Sequence, residues 1–194
     1  ADSVLRIKGV TGAAYKSDMC IDGVELRALV AGVAASPPPP APTVIGTESF
    51  EQSSWATAGV VAAGSTGSSW TRESGSTPSS STGPSAASDG TWYLFTEASS
   101  TYNTEFILDI IPTLSASTGY EIDFWYHMYG ADMGTLSVEI ADVGGTIWTV
   151  LWSQSGPQQT GQSDAFVQAV ISVTPSADSV LRIKGVTGAA YKSD

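Results

Sequence analysis

Apolar and polar residues alternate with a period of two along most of the chain. Leu5 and Ile7 share one side of an extended segment with Arg6 and Lys8 on the other, and Leu181 and Ile183 stand in the same relation to Arg182 and Lys184. Phe106, Leu108 and Ile110 alternate with Ile107 and Asp109, and Leu136, Val138 and Ile140 with Ser137 and Glu139. A period of two puts successive side chains on opposite faces of a strand, so each segment predicts a strand. Apolar runs at 92–95, 122–128, 147–152 and 167–173 predict more. Turn formers separate them: Gly75, Gly83-Pro84, Asp89-Gly90, Gly119, Gly130, Gly144-Gly145 and Gly156-Pro157. No amphipathic pattern runs longer than two helical turns. Many short strands at this spacing predict an all-β, antiparallel β-sandwich of the jelly-roll or immunoglobulin kind. Residues 62–90, rich in Ser, Gly and Thr, are expected to form long loops.

One segment occurs twice. Residues 1–18 and 177–194 both read ADSVLRIKGVTGAAYKSD, identical at all 18 positions, which predicts a parent protein built of near-identical tandem repeats. Residues 36–42 read SPPPPAP. Four consecutive prolines form a stiff, extended spacer without backbone donors, which a sandwich strand cannot contain. The expected organisation is therefore 1–27 as the last strands of the fold, from the tail of a preceding repeat. Residues 28–46 follow as a proline-rich linker, and 47–194 as the main body, lacking its own copy of the last strand at 19–26. Two arrangements supply that strand. The N-terminal segment can close into its own sandwich as a circular permutant, giving a monomer, or complete a neighbouring molecule, giving a domain-swapped oligomer. Closure within the chain is favoured by its millimolar-scale effective concentration.

Composition narrows the partners. Apolar residues make up 42% of the chain, enough for a packed core, but charged residues only 14%, against about 25% in typical soluble domains. Solubility then rests on hydroxyl groups and on a net charge of −11. That acidity argues against nucleic acid and against anionic membranes, both of which need a basic patch, and is compatible with cation binding. No apolar run approaches the ~18 residues of a spanning helix, so membrane insertion is not expected. The first residues read as a strand and not as a signal peptide. Cys20 is the one cysteine. An internal disulfide is excluded, and the redox compartment stays open.

The string Phe124-Trp125-Tyr126-His127-Met128-Tyr129-Gly130, followed by Met133-Gly134 and by Leu136 and Val138, resembles the signature of the MAM domain. MAM domains are extracellular jelly-roll modules of receptors, receptor phosphatases and secreted proteases. Other segments are similar to the family in the same order. Phe50-Glu51 with Trp55 is similar to the first strand. Trp70, Arg72, Gly75, Thr77-Pro78-Ser79 and Thr82-Gly83-Pro84 are similar to the long first loop. Ser88-Asp89-Gly90, Tyr93-Leu94, Leu151-Trp152 and Gly156 follow. Leu181, Ile183 and Gly185, with Ile21-Asp22-Gly23-Val24 of the N-terminal copy, resemble the last two strands. The resemblance covers about residues 48–194 together with 1–26. The chain departs from animal members in lacking their paired cysteines, with Ser49 and Glu121 near two of those positions. Ser163, Asp164 and Ala165 stand where a tryptophan is usual. These departures set it apart from the animal receptors and their homophilic adhesion.

Asp22 is the candidate site residue with most to explain. By period two it shares a face with Cys20, Val24 and Leu26, so it is expected on the core side. A buried carboxylate needs a partner, and the chain has only 8 lysines and arginines. A Ca²⁺ ion would satisfy it with hard oxygen ligands; a hydrogen-bonded or partly exposed aspartate is the alternative. Jelly-roll carbohydrate-binding modules, which this fold resembles, place a structural calcium between a Phe-Glu strand and an Asp of the last strand. Phe50-Glu51 and Ile21-Asp22 are similar. Asp22 and Glu51 are thus the expected pair, with Asp89, Glu48 and Glu97 as further metal ligands. His127, the one histidine, lacks companions for a zinc site or a triad, and reads as structural, like Cys20. Among the six tryptophans, Trp70 and Trp148 border loops and are the candidates for a ligand-stacking platform; the others read as core packing. The carboxylate pairs Glu105 with Asp109 and Glu121 with Asp123 lie on plain alternating strands without catalytic neighbours.

The expected function is a non-catalytic extracellular repeat module. It would act as a structural, extender or adhesion domain of a large secreted or cell-surface protein, with neighbouring identical repeats as partners. The alternative is a jelly-roll module that binds a carbohydrate or a protein ligand. No feature favours an enzyme.

Overall fold

The computed structural model describes residues 5–9, 18–29, 43–55, 60–64, 66–99, 101 and 103–186, with 5–9 and 18 as backbone alone. The proline run of the expected linker and the end of the duplicated segment beyond Val186 lie outside the described residues. Among the described residues twelve strands form: β1 (Leu5–Gly9), β2 (Asp18–Leu29), β3 (Thr43–Glu48), β4 (Val61–Ala63), β5 (Thr71–Ser74), β6 (Trp92–Phe95), β7 (Glu105–Leu114), β8 (Gly119–Tyr129), β9 (Thr135–Asp142), β10 (Thr149–Ser155), β11 (Val167–Val173) and β12 (Ser179–Val186). They build two sheets, ordered β10-β9-β12-β1-β7-β4 and β11-β8-β2-β6-β5, with β3 added alongside β2. The expected sandwich is what forms. The short strands β4 and β5 interrupt the stretch expected as loops and extend one edge of each sheet.

Alternation explains the core. Leu108, Ile110, Leu136, Val138, Leu181 and Ile183 of the first sheet meet Met19, Ile21, Leu26, Ile122, Phe124, Tyr126, Met128 and Ile171 of the second. Each large side chain buried in this way contributes about 1.5–3 kcal/mol. Trp152 of β10 packs edge-on against Phe124 and Tyr126, with ring centroids 5.5 and 5.3 Å away. The outer face of the second sheet is covered as well. There Cys20, Tyr93 and Phe95 form a second buried cluster beneath Ala87 and Phe166, and the His127 ring lies 5.3 Å from that of Phe166.

β2 occupies the middle of the second sheet. One edge pairs with β8 from Asp18 to Leu29. The other pairs with β6 at Cys20 and Ile21, then with β3 from Val24 to Ala28. The change of partner coincides with a bulge, where Gly23 and Val24 together stand opposite Phe124. Gly23 has φ +54°, a conformation glycine adopts without steric cost. An extra residue inverts the facing of everything beyond it. This corrects the phase expected from straight alternation. Val24 and Leu26 do face the core, but Cys20 and Asp22, before the bulge, face outward with their partners His127 and Trp125.

The duplicated strands lie side by side. β1 and β12 are parallel and in register, Arg6 opposite Arg182 and Ile7 opposite Ile183. β12 pairs antiparallel with β9, and β1 antiparallel with β7.

Candidate functional site

Where β2 parts from β6 and takes up β3, the outer face of the second sheet opens into a cleft of about 330 Å³. Asp22, Glu25, Glu48, Asp89, Asp123 and Trp125 line it together with Thr47, Ser49 and Ser88. Asp22 is only 1% exposed, and its Oδ2 accepts the backbone N–H of Asp89 at 3.0 Å. Burial pushes its carboxyl up to about 6, outweighing the N–H groups of Asp89, Ser88 and Gly23, and the charge of Asp89 adds to the rise. Glu48 is buried at the end of β3, its Oε1 accepting the N–H of Phe50 at 2.7 Å. Arg27, further along β2, is held by Glu25, Glu121 and Asp123, and does not line the cleft.

Glu51 does not line this cleft. Its Oε1 accepts the N–H groups of Thr91 and Trp92 at 2.8 and 2.9 Å, tying the segment that follows β3 to the start of β6. Those two bonds hold its carboxyl below the usual carboxylate range. Arg72 braces the same corner: it donates to the carbonyls of Phe50 (2.5 Å) and Glu51 (2.8 Å), with its guanidinium 3.7 Å over the Trp92 ring. Glu97 accepts the N–H of Ser99 at 3.0 Å, beyond β6. The fold thus gathers Asp22, Asp89 and Glu48 around one cleft and places Glu51 and Glu97 outside it. Among the described residues no three His, Cys, Asp or Glu side chains are placed to hold a metal by themselves. A calcium ion bound by Asp22 would therefore complete its shell with carbonyl and water oxygens, which this ion accepts.

The tryptophans fall differently from the expectation. Trp70 is 3% exposed and belongs to the core. Trp148 is half-buried, with the Arg182 guanidinium 4.1 Å over its ring. Trp125, expected in the core, is 37% exposed. The signal was in the string itself: three consecutive aromatics on one strand cannot share a face, and Phe124 and Tyr126 face inward. Trp125 also lines a second cleft of about 290 Å³, between residues 85–88 and 162–166. Beneath this surface His127 and Cys20 stand opposite each other, both fully buried. Burial holds the imidazole down at about 4, against the pull of Gly161 and Asp164 nearby.

Comparison with known proteins covers the same region. The family model for the MAM domain (meprin/A5/mu) matches residues 49–184. Human MAM domain-containing protein 2 is 31% identical over 132 residues, which is 66% of this chain and 18% of that protein. Rat MAM domain-containing glycosylphosphatidylinositol anchor protein 1 is 31% identical over 135 residues, 64% of this chain and 14% of that protein. Its human counterpart is 30% identical over the same length. The chain spans less than a fifth of the length of these curated relatives. From the end of β3 to β12 the family pattern and the two-sheet sandwich coincide, and the chain belongs to the MAM domain family.

Proposed function

We propose that this chain is a non-catalytic extracellular module, a structural, extender or adhesion domain of a larger secreted or cell-surface protein. The observation that carries this reading is the use the fold makes of its acidic groups. Asp22 and Glu51 accept backbone N–H groups of residues 89–92 and tie distant segments of the sandwich together, while Glu48 and Asp164 accept N–H groups within their own segments. Membership of the MAM family supports an extracellular setting, as does the anchor in the name of the rat relative. The duplicated 18-residue segment supports identical repeats as neighbours. The seat of β2 between β8 and β6 supports a chain that closes on itself as a monomer.

We further infer a structural calcium ion in the cleft, bound by the Asp22 carboxylate, with carbonyl and water oxygens completing its shell. The ion would offset the charge that burial disfavours on Asp22. Thermal unfolding at neutral pH, in millimolar calcium and in chelator, tests this. Calcium is expected to raise the melting temperature by several degrees, since 1 kcal/mol corresponds to about 2–4 °C at this chain length. Asp22→Ala should abolish the difference and Glu97→Ala should keep it. Identical melting curves with and without calcium would remove the ion and leave the module reading standing.

A further inference from the structure

The two clefts on the outer face of the second sheet share one wall, formed by Trp125 with Ser88. Strand register fixes the neighbours of Trp125: across the sheet it stands between Gln168 of β11 and Asp22 of β2. The indole lies beside the bulge, where a Cβ at Gly23 would meet its Cδ1 at 3.6 Å. It therefore projects from mid-strand with backbone at its side, on a rigid element and not on a loop. Gln168, Ser88 and Asp89 are all exposed around it. The result is an aromatic ridge between two hollows whose rims carry amide, hydroxyl and carboxylate groups.

We propose that Trp125 is a platform for a neutral oligosaccharide. A pyranose ring presents an apolar C–H face, which stacks on the indole, and hydroxyls at its edge, which Gln168, Ser88 and Asp89 hydrogen-bond. An apolar platform with a few converging polar groups is the usual make-up of a small-ligand site. Most residues lining the two clefts around Trp125 carry hydroxyl, amide or carboxylate groups, which suits a ligand rich in hydroxyls. A hollow on each side of the ridge suits a chain of sugars crossing it. Charge sets the class. Asp22, Asp89, Asp123 and Asp164 surround the ridge, and the chain carries a net charge of −11, so uronate, sialylated and sulfated glycans are repelled. This goes beyond the module reading, which needs no ligand at the site.

The test is an array of neutral oligosaccharides (glucans, mannans, galactans and xylans) with uronate and sulfated glycans as a second arm, probed with the whole chain. A neutral glycan is expected to bind. Its affinity should fall several-fold to about tenfold in Trp125→Ala, the scale of a lost stacking contact, fall several-fold in Gln168→Ala, and hold in Trp148→Ala. Trp125 is 37% exposed, so Trp125→Ala is expected to keep the fold at some cost in melting temperature and binding is read well below its melt, with Gln168→Ala as a second handle at an exposed edge position. No neutral glycan bound at millimolar concentration, binding confined to anionic glycans, or a neutral hit unaffected by Trp125→Ala would each overturn the proposal. The module reading needs no ligand here and stands whichever way the array reads, and a cooperative melt of Trp125→Ala separates loss of this site from loss of the fold.

Discussion

Asp22 and His127 lie on neighbouring strands of one face, and burial moves them in opposite directions. The carboxyl rises from 3.8 to about 6, while the imidazole falls from 6.5 to about 4. Between pH 3.8 and about 6 the folded chain holds the Asp22 proton more firmly than the unfolded chain. Stability from this group therefore falls as pH rises through that window, by about 3 kcal/mol in all. For His127 the unfolded chain holds more protons between about 4 and 6.5. Its contribution is present above that window and is lost as pH falls through it, by a similar amount. The slopes oppose, so the pair leaves little net pH dependence in the metal-free wild type. Asp22→Asn should unmask the histidine, and stability from urea unfolding should then drop steeply toward pH 4. His127→Leu should unmask the aspartate, with stability highest near pH 4 and declining toward neutrality. Matching flat profiles in both variants would show that neither group is coupled to folding in this way.

The tie between Glu51 and the turn before β6 is a property of elements. Gly90 has φ +67°, and a Cβ there would come within 2.5 Å of Glu51 Oε1. Gly90→Ala should therefore cost about 1–3 kcal/mol, combining backbone strain with a displaced carboxylate. Glu51→Ala leaves the Thr91 and Trp92 N–H groups without their acceptor, at a cost of about 1–3 kcal/mol. The double variant should lose less than the two separate losses combined, because removing the Glu51 side chain makes room for the new methyl. Chemical unfolding of the four chains measures this, and strictly additive losses would show that the two residues do not act through each other. Such ties were not legible in the sequence, because the acceptor is a side chain and the donors are backbone. What was legible depends on the apolar pattern: β7, β9 and β12 follow from alternation and β8 from its apolar run, and the core follows from them. Gly23 broke the count in β2, since a bulge adds a residue that a strict period has no place for. A glycine inside a strand is the only local mark it leaves. Asp22 was thus found as a residue of interest but assigned to the wrong face. Glu51 matched the family pattern while its carboxylate went to a neighbouring turn.

At the scale of the molecule, two strands of one sequence stand next to each other while the central strand of the other sheet has a single source. β12 hydrogen-bonds to β9 and β1 to β7. Because their sequences are identical and they lie in register, either copy can offer the same backbone groups to both neighbours. β2 has no such stand-in: residues 19–29 occur once, and Met19, Ile21 and Leu26 are fully buried at the centre of the core. Proline within a paired strand removes a ladder donor and is poorly tolerated away from sheet edges. Ile7→Pro in β1 and Ile183→Pro in β12 should each leave a cooperatively unfolding monomer, because the sister copy can bridge β9 and β7. Together they should abolish folding, a loss well beyond additivity. Ile21→Pro in β2 should do so alone. Urea unfolding followed by tryptophan fluorescence, with light scattering for mass, distinguishes these cases. If Ile183→Pro alone unfolds the chain as Ile21→Pro does, the copies are not interchangeable, and β12 by itself holds the first sheet together. If the single variants instead fold only as concentration-dependent oligomers, the vacant strand is being filled by a second molecule, and the duplicated segment works as a link between chains.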